Sequence, residues 1–172
     1  MKRSISLALA LILLTLCLVS CKKEPVVLDL KAEADAILTT YKLESGNLYS
    51  SASTVLGEYL DEDLIRSYYG DLTSMPDFNS VESYVVYIDE TRPTLPCEFG
   101  LFKMKEGADA QAFIAYLKAR IDLKIENAKA YPSMDTTMLV SAKFVEKDGY
   151  IWYCAVKDAN DSISSALEEK FN

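Results

Sequence analysis

Residues 138–158, MLVSAKFVEKDGYIWYCAVKD, carry the strongest structural signal in the chain. Asp148-Gly149 stands between two runs rich in β-branched and aromatic residues, which is the strongest short-range signal for a β-hairpin. A turn formed by these two residues alone places Phe144 opposite Tyr153, and the next residues outward pair in the same way. We therefore predict an antiparallel hairpin with its turn at Asp148-Gly149.

The predicted register divides the hairpin residues between two faces. The first face is apolar and belongs on a core; it holds Met138, Val140, Ala142, Phe144, Ile151, Tyr153 and Ala155. The second face holds Ser141 and Lys143, but also Val145, Tyr150, Trp152, Cys154 and Val156. A bulged turn would reverse this parity for one strand. Because residues 150–157 are apolar on both faces, we expect a central strand that is covered on both sides, with the N-terminal helices as the second cover.

The rest of the chain predicts helices and two further strands. Apolar residues recur at helical spacing over 30–41, 59–68, 110–128 and 163–171, and the runs at 83–88 and 97–104 are typical of strands. Asp109 is placed to cap the long helix, and Pro132 follows its end. Strands that follow one another favour an antiparallel sheet, so the predicted fold class is α+β. We expect about four strands packed against the long amphipathic helix, with N-terminal helices and a short C-terminal helix.

The chain begins like a secreted protein. Met1-Lys2-Arg3 is basic, and residues 4–19 carry no charge but are too few to span a bilayer comfortably. This pattern is typical of a signal peptide, and Leu18-Val19-Ser20-Cys21 resembles the bacterial lipobox, in which the cysteine receives the lipid. Cys17 fits less well, because bulky Leu16 would precede the cut. An uncleaved anchor is the alternative.

Lipidation at Cys21 sets the predicted domain organisation. Residues 1–20 form the lipoprotein signal peptide, residues 21–30 the lipidated tether, and residues 31–172 a single α+β domain. A two-chain lipid anchor is sufficient for stable membrane attachment. The expected location is therefore the extracytoplasmic face of the cell membrane.

Charge and composition exclude several kinds of partner and site. Loss of Lys2 and Arg3 with the signal peptide removes two of 18 basic residues, while all 26 acidic residues stay, so the net charge changes from −8 to −10. This acidity disfavours nucleic acid and anionic lipid surfaces as partners. The chain has no histidine, which removes the commonest general base and metal ligand together. We expect no metal, no cofactor and no catalytic residue that the sequence marks out.

Several short motifs resemble a family of uncharacterised lipoproteins from Gram-positive gut anaerobes, known only as a domain of unknown function. They are an E-x-x-x-F-K strand over 98–103, a long helix that carries Arg120, a Tyr131-Pro132 helix end and a Gly149-Tyr150 hairpin. Trp152 follows that hairpin where the family more usually has an aliphatic residue. The stretch LIRSYYGD at 64–71 is similar to the upstream helix of the family. The resemblance covers about residues 60–172 and implies a lipid-anchored, extracytoplasmic protein with no known activity.

Five residues of the mature domain are candidates for a site. Cys97 and Cys154 form a disulfide if their strands pair closely, and two buried free thiols are the favoured alternative. Arg120 lies at the border of the apolar stripe of the predicted helix over 110–128. We expect it to pair with Glu98 or another internal acid, and binding of a ligand carboxylate is the alternative. Tyr150 and Trp152 contact a ligand if their face is open, and pack in the core if helices cover it.

Two functions remain open at this point. The favoured one is a binding or scaffold module that holds an envelope protein, peptide or glycan at the membrane. The alternative is an envelope hydrolase that uses paired carboxylates and needs no histidine.

Overall fold

A computed structural model describes residues 25–70, 78–92 and 94–172. Cys21 and the predicted signal peptide lie outside these residues. The helices are α1 Leu30–Tyr41, α2 Glu62–Tyr69, α3 Ala110–Ala128, α4 Thr137–Val140 and α5 Asn160–Glu169. The strands are β1 Asn47–Ser50, β2 Val81–Asp89, β3 Cys97–Met104, β4 Lys143–Lys147 and β5 Tyr150–Ala155.

The strands form one sheet in the order β1-β2-β3-β5-β4, and every neighbouring pair is antiparallel. The α+β prediction is confirmed, with five strands where we expected about four. β5 lies between β3 and β4, and all six of its residues are buried. Its predicted central position is therefore confirmed.

Helices cover both faces of the sheet. On the first face, side chains of β2, β3 and β5 pack against α2, α3 and α4 through a core that includes Phe102, Phe113, Leu117, Ile151 and Tyr153. On the second face, α1 and α5 pack over a core that includes Ala34, Phe99, Trp152, Cys154 and Leu167. The second cover thus comes from one N-terminal helix and the C-terminal helix together.

The hairpin has the predicted turn and register. Lys147 pairs with Tyr150 across the turn, Phe144 with Tyr153, and Val145 with Trp152. Asp148 and Gly149 have φ angles of 51° and 80°. Positive φ at both central residues is the requirement of a type I′ turn, whose twist matches that of the strands.

The predicted helix boundaries are largely confirmed. Asp61 and Asp109 each accept a hydrogen bond from a backbone N–H of the first turn, at 2.8 Å and 2.9 Å, and so cap α2 and α3. Gly70 ends α2 at a φ of 85°. These caps place both helices where the apolar periodicity predicts them.

Two local predictions were wrong. Residues 138–142 do not extend the hairpin strand: Met138 and its neighbours form α4, because Asp135 accepts a hydrogen bond from the N–H of Thr137 at 3.0 Å and starts a helical turn. The segment between the first two helices, where the sequence predicts no strand, contains β1, a four-residue edge strand too short for an alternating pattern to reveal it.

The first described residues already contact the domain. Val26 and Leu28 pack against the core of the second face, and the N–H of Leu28 donates to the Tyr150 hydroxyl at 3.2 Å. The chain is therefore attached to the domain from Val26 onward, before α1 begins.

Candidate functional site

A buried ion pair connects the sheet to the long helix on the first face. Glu98 of β3 is fully buried, and Arg120 of α3 is 6% exposed. The Arg120 Nε lies 2.9 Å from Glu98 Oε1, and its Nη2 lies 2.7 Å from Oε2. This two-bond geometry is the strongest form of carboxylate recognition by arginine. The internal partner of Arg120 is thus Glu98.

Three further groups complete this cluster. Lys124, one helical turn after Arg120, donates to Glu98 Oε2, and the Tyr153 hydroxyl donates to Oε1 at 3.2 Å. Arg120 Nη1 donates to the backbone carbonyl of Tyr68 at the end of α2. The guanidinium carbon also lies 4.9 Å from the ring centre of Tyr69. The Glu98 cluster, defined by these residues, thus joins β3, β5, α2 and α3.

Gly100 makes room for one member of the cluster. Gly100 lies directly opposite Tyr153 in the register of β3 and β5. A Cβ on Gly100 would lie 2.5 Å from Tyr153 Cε1, which is closer than atoms of two side chains can approach. The missing side chain therefore lets the Tyr153 ring lie over β3, from where its hydroxyl reaches Glu98.

The charges in the cluster hold one another ionised. Burial opposes ionisation of Glu98, but the charges of Arg120 and Lys124 outweigh it and lower its pKa to about 2. Burial likewise disfavours the charged guanidinium, and Glu98 nevertheless raises the pKa of Arg120 above its ordinary value. Burial is the main cause that raises the pKa of Tyr153 well above 10, and the negative charge of Glu98 adds to it. Glu98 is therefore a permanent anion near neutral pH.

The Glu98 cluster has the properties of a structural ion pair rather than of a catalytic acid. A carboxyl group that acts as a general acid near neutral pH needs a raised pKa. Within the described residues, the carboxyl groups with shifted pKa values are Asp89, Glu98 and Asp135, and all three pKa values are lowered. Hydrogen bonds from Thr137 are the main cause at Asp135. At Asp89, hydrogen bonds from Thr91 and Arg92 overcome the opposing effect of burial.

Tyr150 and Trp152 are interior residues of the domain. Trp152 is 1% exposed, its ring stacks on Phe171 with centres 5.9 Å apart, and its Nε1 donates to Ser164 Oγ at 3.2 Å. Tyr150 is 3% exposed beneath the N-terminal segment. Arg120 is buried as well, so all three candidate ligand-contact residues pack inside the domain and none lies on an open surface.

Cys97 and Cys154 are buried free thiols, and no disulfide joins them. Cys154 lies opposite Phe99, so Cys97 is its diagonal neighbour on the same face. Diagonal neighbours in a sheet are about 7–8 Å apart, whereas Cα atoms joined by a disulfide are usually about 4.4–6.8 Å apart. Burial raises the pKa of Cys97 to about 12 and also raises that of Cys154. Neither thiol is suited to nucleophilic chemistry.

A recess of about 270 Å³ opens at one end of the sheet, where β2 and β5 end and β3 begins. Its lining is apolar at the base and carries charged groups at the rim; it consists of Tyr41, Lys42, Leu43, Arg92, Leu95, Cys97, Val156, Lys157 and Asp158. Three of the four charged residues in this set are cationic. Arg92 binds Asp89 through Nε and Nη2, and Lys157 binds Asp135 at 3.0 Å. Lys42 makes no ion pair with any residue in the described part of the chain.

Sequence reasoning identified Glu98 and Arg120 but missed Lys124, Tyr153 and the recess. The spacing of Arg120 and Lys124, four residues apart on one helix, was a usable signal for a second cation beside Glu98. The recess had no such signal, because Lys42, Arg92 and Lys157 come from three distant segments that only the completed sheet brings together.

The chain was compared with known proteins in three ways: no family model, no curated protein and no solved structure matches it. The resemblance to the lipoprotein family therefore stays a prediction. Over the residues that the structure describes, no helix combines the length and the apolar character needed to cross a membrane. Within the same residues, no three acidic or cysteine side chains are grouped to hold a metal ion.

Proposed function

We propose that this protein is a lipoprotein anchored at the extracytoplasmic face of the membrane through Cys21, and that its domain is a binding module. The Leu18-Val19-Ser20-Cys21 sequence supports the anchor. The recess at the end of the sheet supports the binding function, because its lining combines three cationic side chains with apolar residues.

The chemistry of the recess favours a peptide segment that carries a carboxylate. Lys42 is exposed and makes no ion pair with a described residue, and Asp158, the acid of the same lining, makes none either. With Arg92 and Lys157 counted, cations outnumber acids in the lining by three to one, although the domain as a whole is acidic. Leu43, Leu95 and Val156 supply the apolar surface for a side chain next to that carboxylate. Small sites of this kind combine an apolar lining with few polar groups that fix the orientation of the ligand.

The alternative, a carboxylate-based hydrolase, has less support. It needs two acids at a common site, one of them with a raised pKa. The pKa shifts of Asp89, Glu98 and Asp135 are all in the opposite direction. Glu98, the most buried of the three, also has all its oxygens occupied by Arg120, Lys124 and Tyr153.

Lipid labelling tests the anchor. Cells that express the full chain should incorporate labelled palmitate into the protein, and Cys21→Ala should abolish the label and release the protein from the membrane fraction. Cys17→Ala is the matched control and should change neither. Label that persists in the Cys21→Ala protein contradicts the assignment.

NMR titration tests the recess. Short peptides with a free C-terminal carboxylate should shift the backbone amide signals of Lys42, Leu43 and Val156, and the same peptides with an amidated C-terminus should shift them far less. Lys42→Glu should remove the response, whereas Lys105→Glu, an exposed change at the other end of the sheet, should keep it. Equal shifts for acid and amide forms would exclude recognition of a carboxylate here.

A further inference from the structure

The N-terminal segment enters the domain at a defined end of the sheet. The Leu28 N–H is bound to Tyr150, the first residue of β5. The same end, here called the tether end, is where β3 finishes and β2 begins, since Val81 pairs with Met104 and Lys103 with Tyr150. β1 runs towards this end and finishes at Ser50, which pairs with Val85. The recess lies at the opposite end.

The tether leaves this end little freedom. Five residue steps separate Cys21 from Val26, which is packed on the domain, and a fully extended chain of that length spans at most about 18 Å. A lipid on Cys21 therefore holds the tether end of the sheet close to the bilayer.

A hydrogen-bonded loop with exposed apolar residues follows β1. Residues 51–57 follow β1, and the loop is closed by hydrogen bonds from the Ser50 N–H to the Glu58 carbonyl at 2.8 Å and from the Glu58 N–H to the Val55 carbonyl at 3.0 Å. The Ser53 hydroxyl donates to the Glu58 carboxylate at 2.9 Å. At the tip, Val55 and Leu56 are 56% and 77% exposed.

Exposed apolar residues are concentrated at this end. Of the six large hydrophobic residues that are exposed in the described part of the chain, Val27, Val55 and Leu56 belong to the tether end. Three strand spacings separate β1 from β5, so the loop and the tether lie about 14 Å apart across the sheet.

We infer that the loop over residues 51–57 inserts Val55 and Leu56 into the outer surface of the lipid bilayer and fixes the orientation of the domain. This inference rests on the proposed anchoring through Cys21. The lipid supplies the attachment, and the loop supplies a second contact point that limits rotation about the tether. A domain held at two points presents the recess at its far end away from the membrane.

Site-specific fluorescence tests the inference on the lipidated full-length protein. Leu56→Cys is labelled with a polarity-sensitive dye and bound to vesicles of phosphatidylcholine with a minority of phosphatidylglycerol. Cys97 and Cys154 are buried with raised thiol pKa values, so the label goes to residue 56. We expect a blue shift of the dye, protection from iodide and quenching by brominated lipid tails.

Val140→Cys is the matched control, because Val140 is 70% exposed and lies at the far end of the sheet. On the same vesicles, the dye at residue 140 should emit at the wavelength it has in water and should be fully quenched by iodide. Mass spectrometry of each preparation establishes whether Cys21 carries lipid.

The outcomes separate the two proposals. An aqueous emission at residue 56 in lipidated, vesicle-bound protein overturns the loop insertion and leaves the anchor intact. Protection of residue 56 that requires an added envelope protein also overturns it, since the loop then contacts protein. Absence of lipid on Cys21 overturns both the anchor and the inference.

Discussion

Glu98 and Arg120 form a two-bond ion pair inside the domain, with N–O distances of 2.9 Å and 2.7 Å. The pair joins the middle strand of the sheet to the long helix, and both side chains are almost completely withdrawn from water. The cost of desolvating two charges offsets much of their attraction, so the presence of such a pair is weak evidence of a net gain in stability.

Removal of one member of the pair should be costly. Glu98→Gln leaves the charge of Arg120 buried and uncompensated, and we expect a loss of about 3–5 kcal/mol in the free energy of unfolding. Urea denaturation followed by circular dichroism measures this loss. The double change Glu98→Leu with Arg120→Met should restore most of the stability, because it replaces both charges with apolar groups. A double variant as unstable as the single one would show that the pair itself stabilises the fold.

Acid should weaken the domain through the same carboxyl group. The pKa of Glu98 is lowered from 4.5 to about 2 in the folded state, so folding favours the ionised form. This contribution is fully present above the unfolded pKa and is lost as the pH falls towards 2; its size is on the order of 3 kcal/mol. Unfolding midpoints between pH 6 and pH 2 measure it, and the Glu98→Leu, Arg120→Met protein should show a clearly flatter pH profile.

Much of the fold could be predicted because its local signals agree with its packing. Asp148-Gly149 predicts the turn, and Asp109 predicts the start of α3. The apolar pattern on both faces of residues 150–157 predicts that β5 lies in the interior of the sheet. The failures share a physical cause. β1 and α4 have four residues each, so they are held by contacts with neighbouring elements rather than by their own periodicity. Glu98 and Arg120 could be paired from sequence, whereas the recess depends on the complete topology.

The hairpin turn should be sensitive to the side chain at its second position. Gly149→Val forces a β-branched residue to a φ of 80°, and we expect a loss of roughly 1–2 kcal/mol. Thermal unfolding followed by circular dichroism checks this. Asp148→Asn is the control: asparagine tolerates the left-handed region, so the midpoint should hardly change. An unaffected midpoint for Gly149→Val would mean that the turn relaxes without strain.

Trp152 should report the integrity of the second face. Because it is buried against Phe171 and Ser164, its emission should be blue-shifted and shielded from iodide in the folded protein. Trp152→Ala should cost about 3–5 kcal/mol through the cavity it leaves. Tyr131→Ala, at an exposed ring, should stay within about 0.5 kcal/mol of the parent. Emission that iodide quenches freely would place the indole in water.

The thiols of Cys97 and Cys154 should be unreactive until the domain unfolds. In a Cys21→Ser protein without residues 1–20, Cys97 and Cys154 should react with an aromatic disulfide reagent only after denaturant is added, since burial suppresses both thiolates. Two equivalents should then react without prior reduction. A requirement for reductant before either thiol reacts would reveal a disulfide instead.

The outer strands of the sheet bear on how the protein tolerates crowding. β1 is four residues long, and β4 carries Lys143, Glu146 and Lys147 within five residues. Edge strands that are short or charged disfavour edge-to-edge pairing between the sheets of separate molecules. The proposed lipid anchor would confine many copies to the plane of a membrane, where they meet more often than in free solution. These edge strands would then keep such encounters from becoming permanent aggregates.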